Sequence, residues 1–155
     1  MSKKILWLDN DPDYLEPYID ALSDEHYEVR RVSTVAEAEQ LLHAEKYDLL
    51  ILDVMIPTKD AAEEERYRPT DTKRGARTGM LFYVKNREYL VSVGTRVLVM
   101  TVRLDAEIVS EFAEAGLDRK WFATKYEVRD VSDFLKKVVA RLNGEELKRQ
   151  SQDEE

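Results

Sequence analysis

Four apolar runs in this sequence end on residues whose types can do chemistry. KILWL (Lys4–Leu8) runs into Asp9–Asn10–Asp11, LLIL (Leu49–Leu52) into Asp53, RVLVMT (Arg96–Thr101) closes on Thr101, and the weaker run KWFAT (Lys120–Thr124) leads to Lys125. If these runs are parallel strands of one open sheet, their carboxyl ends form the rim where such sheets bind ligands. Acids, a hydroxyl and an ammonium then converge there from distant parts of the chain. Clustered carboxylates repel: two unit charges about 4 Å apart, at an effective dielectric of about 20, cost about 4 kcal/mol. Such a cluster points to a divalent cation or a cationic partner that offsets the repulsion.

The elements that must position these residues are legible in the spacing. LLIL and RVLVMT are almost uniformly apolar, as strands covered on both faces are. A fifth run, Tyr27–Val32 (YEVRRV), mixes apolar and charged residues and reads as an edge strand. Helical periods lie between the runs. Asp13 with Glu16 resembles a capping box, which places Pro17 at the fourth helical position, where its missing N–H costs little. Leu15, Tyr18, Ile19 and Leu22 then form one apolar face. Thr34 with Glu37 repeats the device ahead of Ala38, Leu41 and Leu42. Ile108, Phe112 and Ala115 precede Gly116, and a last helix runs from Asp130 through Phe134 and Val138 to Asn143–Gly144. Strand and helix alternate five times, so the sequence predicts an α/β domain: a five-stranded parallel sheet with helices on both faces.

The 155 residues suffice for one domain that buries roughly 70% of its unfolded surface. A net charge of −8 gains nothing from counterion release on a polyanion, so no nucleic-acid partner is expected. The absence of cysteine excludes disulfides, thiol nucleophiles and thiolate metal sites. No apolar run approaches the roughly 20 residues of a membrane span. The start MSKKILWLDN is interrupted by Asp9 before a signal core can form, so a cytoplasmic protein with no membrane partner is expected. His26 and His43 sit in a turn and on a polar helix face and carry no evident chemistry. From Thr58 to Thr78, 11 of 21 residues are charged, too polar to bury, so a solvated loop is expected, its arginines (Arg66, Arg68, Arg74, Arg77) solvated, with one of them clamping an anion at the rim as the alternative. The expected organisation is thus a domain over 1–144 carrying an insertion at 58–78, then a frayed polar tail over 145–155.

ILWLDNDP, LLILDVMIP, VLVMT and FATK, in that order and spacing, resemble the receiver domain of two-component response regulators. The resemblance implies the flavodoxin-like, doubly wound fold with strand order 2-1-3-4-5. It implies a stand-alone response regulator in which Asp53 is the phosphoacceptor, taking a phosphoryl group from a histidine kinase or histidine phosphotransfer protein. Asp9, Asp53 and the backbone carbonyl of Met55 match the Mg²⁺ ligands, with Asn10 or Asp11 as an additional candidate. Lys125 matches the lysine that pairs with the acceptor, Thr101 the switch hydroxyl, and Phe122 the aromatic that turns inward with it. The fourth helix, fifth strand and fifth helix would form the readout face for a downstream protein, and that face could also pair two copies. Such a domain is a phosphoacceptor rather than a classical enzyme, with Mg²⁺-dependent self-phosphorylation and dephosphorylation.

Four positions depart from the family pattern. Asn10 stands where a second acid is usual, Val102 where a small residue follows the threonine, and Tyr126 where proline follows the lysine; the 58–78 insertion lies beside Asp53. They favour an alternative, a pseudo-receiver that keeps the fold and binds proteins without phosphorylation. A more distant alternative takes Asp9-x-Asp11 as the nucleophile motif of a haloacid-dehalogenase-like phosphatase. A nucleotide or flavin site is disfavoured, because DNDPD has no glycine and would repel a phosphate.

Overall fold

A computed structural model of the chain describes residues 3–10, 12–56, 77–102, 105–124 and 130–143. Five strands, β1 (Lys4–Leu8), β2 (Glu28–Val32), β3 (Leu49–Leu52), β4 (Arg96–Thr101) and β5 (Phe122–Thr124), form one all-parallel sheet in the order 2-1-3-4-5. Helices α1 (Pro12–Asp24), α2 (Val35–Ala44), α3 (Thr78–Val93), α4 (Ala106–Glu114) and α5 (Val131–Leu142) alternate with them, and a single 3₁₀ turn, Arg119–Trp121, leads into β5. The expected α/β class, strand number and strand order all hold.

The period of two along each strand divides the apolar residues between two cores. Leu6, Leu8, Leu50, Leu52, Val97 and Val99 face α2, α3 and α4, whose Leu42, Phe82 and Phe112 pack on them. Ile5, Trp7, Leu49, Ile51, Leu98 and Met100 face the other way, toward Leu15 and Leu22 of α1 and Phe134 and Val138 of α5. There Trp7 stacks on Phe134, with centroids 5.2 Å apart, and Tyr18 meets the same ring edge-on at 5.1 Å. β2 is the charged edge strand: only Val32 is buried among its five residues, and the exposed Glu28, Arg30 and Arg31 discourage further strand pairing.

The helix ends follow the local chemistry with one exception. Thr34 accepts from the Glu37 amide at 3.2 Å, as the spacing predicts, and Asp130, expected inside the last helix, is its N-cap and accepts from the Asp133 amide at 2.9 Å. Gly116, at φ 97°, closes the turn after α4 in a conformation glycine adopts without strain. α1, however, begins at Pro12, so Asp13 lies inside the helix and Pro17 at its sixth position rather than its fourth. Proline is well suited to the first helical position, and Pro12 outweighed the Asp13–Glu16 pattern. At two helix ends a side chain from elsewhere serves the last carbonyls: Tyr89 donates to Leu42 at 3.0 Å, and Arg96 donates to Arg141 and Leu142.

α3 begins at Thr78, a fully buried residue that the sequence reading placed in the loop. The rest of the insertion, 58–76, and the tail beyond 143 lie outside the described residues. Among the described residues no helix is long and apolar enough to cross a membrane.

Candidate functional site

Parallel pairing places the two acids side by side. Leu8 pairs with Leu52, so the next residues on the two strands are Asp9 and Asp53, on chains about 4.8 Å apart. The Asp53 amide donates to Leu8 at 3.0 Å and the Asp9 amide to Val32 at 3.0 Å, so backbone hydrogen bonds hold both residues at the sheet end. Both are buried, Asp9 completely and Asp53 to 3% exposure. The Met55 amide donates to Asp53 Oδ1 at 3.2 Å, an Asx turn that fixes the carboxylate relative to the chain that follows.

Thr101 is the last residue of β4 and has no exposed surface. Its Oγ1 is buried and lacks a hydrogen-bond partner among the described residues. A buried hydroxyl left unpaired costs about 1–3 kcal/mol, so it marks a place where a polar group belongs. Thr101 pairs with Thr124 of β5. Lys125, Asp11 and Tyr126 lie outside the described residues.

Phe122 opens β5 and is buried, its ring meeting Phe112 of α4 edge-on at 5.1 Å. Phe112 in turn lies 5.4 Å from Tyr83 of α3, so an aromatic chain joins β5 to both helices on that face. Burial raises the Tyr83 phenol above its ordinary value, with Arg87 and Arg141 opposing the rise. Trp121 and Phe122, adjacent in sequence, are both buried. The Arg141 guanidinium stands 4.6 Å from the Trp121 ring and replaces solvent over its face. Asn10 is exposed in a bend, Met55 is 36% exposed and Val102 41% exposed.

One residue packed against the site, Gly79, escaped sequence reasoning. Gly79 lies so close to the Asp53 backbone that a Cβ there would overlap the Asp53 carbonyl oxygen and stand 2.7 Å from Val54 Cα. Its amide donates to Val54 at 2.9 Å. Arg77 is not solvated as expected: its guanidinium pairs with Glu111 of α4 and lies 3.4 Å from Met80 Sδ. The signal for Gly79 was a glycine at the start of an apolar run, MLFY, where no turn demanded one.

The donor set fits a hard divalent cation. Asp9 and Asp53 supply two buried carboxylates on neighbouring strands, which offer oxygen ligands and negative charge. Among the described residues no third carboxylate or histidine joins them.

No protein-family description matches the chain, and no curated protein matches it. Solved structures do. A CheY-like response regulator receiver domain protein from Methanospirillum hungatei JF-1 is 20% identical, with a TM-score of 0.72 over 96% of this chain and 99% of that one. The signal receiver domain of a putative Luxo repressor from Vibrio parahaemolyticus is 16% identical, with a TM-score of 0.69 over 97% and 98%. The BeF₃-activated N-terminal receiver domain of Klebsiella pneumoniae RstA is 20% identical, with a TM-score of 0.66 over 90% and 98%. With five parallel strands in the order 2-1-3-4-5 and acids at the ends of β1 and β3, the chain has the fold of the response regulator receiver domains.

Proposed function

We propose that this chain is a phosphoacceptor signalling domain in which Asp53 takes a phosphoryl group from a phosphohistidine donor and passes the signal to a partner protein. The observation that carries this reading is the pair of buried acids, Asp9 and Asp53, with a buried Thr101 hydroxyl that lacks a hydrogen-bond partner among the described residues, all at one end of a receiver-type sheet. A solvated strand-end acid needs neither the burial nor the neighbour.

In the transfer, an Asp53 oxygen attacks phosphorus: the O–P bond forms as the P–N bond to the donor imidazole breaks. The imidazole nitrogen keeps the electron pair and takes a proton from solvent. The Met55 amide on Asp53 Oδ1 fixes the orientation of the attacking carboxylate. Asp9, Asp53 and the Met55 carbonyl would hold a Mg²⁺ ion, which would supply positive charge against the phosphoryl oxygens. The Thr101 hydroxyl then donates to a phosphoryl oxygen and gains the partner it lacks. Lys125, next in sequence after Thr124, supplies the second cation to the product. Phe122, already packed on Phe112, transmits the Thr101 movement to α4 and to the face formed by α4, β5 and α5, where the downstream protein docks.

A second reading keeps the fold and dispenses with phosphorylation. It is favoured by Asn10 and Val102, both exposed, which stand where the family pattern has a second acid and a small residue. Intact mass after incubation with acetyl phosphate and Mg²⁺ separates the two. A single phosphoryl adduct on the parent, missing from Asp53→Asn, is expected; a folded parent with no adduct at any Mg²⁺ concentration selects the second reading.

A further inference from the structure

Arg77 occupies an unusual position for a residue of a charged insertion. It is the N-cap residue of α3, its side chain is only 16% exposed, and it makes no capping hydrogen bond. One terminal nitrogen of the guanidinium is engaged by Glu111 and by Met80 Sδ. Its Nε is buried and has no hydrogen-bond partner among the described residues. Immediately after it, the Thr78 Oγ1 is also buried without a partner, and one residue further on Gly79 rests on the Asp53 backbone. The helix start that carries Arg77 is therefore the one seated against the acceptor. Glu111 belongs to α4, the helix that follows Thr101. The ion pair joins the two segments that leave the sheet at Asp53 and at Thr101.

We propose that Arg77 is an anion-binding residue of the Asp53 site, restrained in the unmodified protein by Glu111. The inference rests on the phosphoacceptor reading and deepens it. A phosphoryl group on Asp53 carries up to two negative charges and three acceptor oxygens, against one charge on the Glu111 carboxylate. A guanidinium presents five donors in a planar fork that matches such oxygens, and the unpartnered Nε is one of them. The Glu111 side chain is 30% exposed, although the Oε2 that faces Arg77 is itself buried, so the carboxylate must turn toward solvent as the pair opens. The exchange of Glu111 for the anion turns the Arg77 side chain toward Asp53 and unties α4 from the start of α3. Arg77 is a positioning residue for α4 in the unmodified state and a ligand of the anion in the modified one.

The test is a titration with beryllofluoride, a phosphoryl mimic, in the presence of Mg²⁺, followed by the bound ¹⁹F resonance. The parent, Asp53→Asn, Glu111→Gln, Arg77→Gln and Arg77→Lys are compared as full chains, with urea unfolding as the check on folding. Removing the competitor in Glu111→Gln is expected to lower the half-saturating concentration about fivefold, and Arg77→Gln to raise it by a similar factor. Arg77→Lys, which keeps the charge and loses the fork, is expected to fall between the parent and Arg77→Gln. A purely structural pair predicts the same direction of change in Glu111→Gln and Arg77→Gln; that result, or no change in either, overturns the inference and leaves the phosphoacceptor reading intact. If Arg77→Gln does not fold, the direction of the Glu111→Gln shift alone decides. No Asp53-dependent signal in the parent overturns both.

Discussion

Gly79 rests directly on the carbonyl of Asp53, and no side chain can stand at that position without moving the Asp53 backbone. The contact locks the start of α3 to the loop after β3, reinforced by the Gly79 amide on Val54 at 2.9 Å. It also explains how an insertion is accommodated next to a buried site. The chain leaves after Asp53 and returns to the same backbone at Gly79.

Gly79→Ala is expected to destabilise the fold by about 1–3 kcal/mol, because the methyl meets backbone atoms that cannot rotate away. Gly94→Ala, where the added Cβ meets nothing and only the positive φ opposes it, is expected to cost about 1 kcal/mol. Urea unfolding of the two variants measures the difference. No loss in Gly79→Ala would show that the close contact with the Asp53 backbone contributes nothing.

Phe134→Ala removes the ring on which Trp7 stacks and Tyr18 packs edge-on, deep in the core between the sheet, α1 and α5. The expected cost is about 3–5 kcal/mol, since the cavity is walled by strand residues that cannot collapse into it. Thermal or urea denaturation reads it directly, and a cost under about 1 kcal/mol would mean the site refills.

Much of this fold is legible in the sequence for a physical reason. In a sheet covered on both faces the central strands must be apolar throughout, and Leu49–Leu52 and Arg96–Thr101 are conspicuous for it. The start of α3 was not legible. That helix is apolar around much of its circumference, with Phe82 and Tyr83 buried while Val84 and Val91 are exposed, so no single stripe announces it. At the site, Asp9, Asp53 and Thr101 could be read because each terminates an apolar run. Arg77 and Glu111 could not, because their pairing depends on how α3 and α4 pack and leaves no local pattern.

Burial pushes the Tyr47 phenol from its ordinary value near 10 up to about 12, and the Glu45 carboxylate it donates to at 3.0 Å adds to the rise. The unfolded chain loses this proton near pH 10 while the folded chain keeps it to about 12. Stability is therefore full below about pH 10 and falls between about pH 10 and 12. Urea midpoints at about pH 9 and about pH 11 should show a smaller drop in Tyr47→Phe than in the parent; parallel drops would remove Tyr47 from the account. Tyr83, raised by burial in the same direction, leaves a residual drop in the variant.

Mg²⁺ is expected to stabilise the parent through Asp9 and Asp53. At ten times its dissociation constant the gain is about 1.4 kcal/mol. For a chain of this size that corresponds to roughly 3–5 °C in the unfolding midpoint. Asp9→Asn and Asp53→Asn should each lose most of this response. An undiminished rise in both variants would place the cation elsewhere on the protein.

The most direct measurement is the position of the acyl phosphate. After phosphorylation by acetyl phosphate with Mg²⁺, borohydride reduction converts a phosphorylated aspartate to homoserine, which peptide mass spectrometry locates. Homoserine at position 53 is the expected result. Homoserine at position 9 or 11, or none in a protein shown to be folded, would contradict the account.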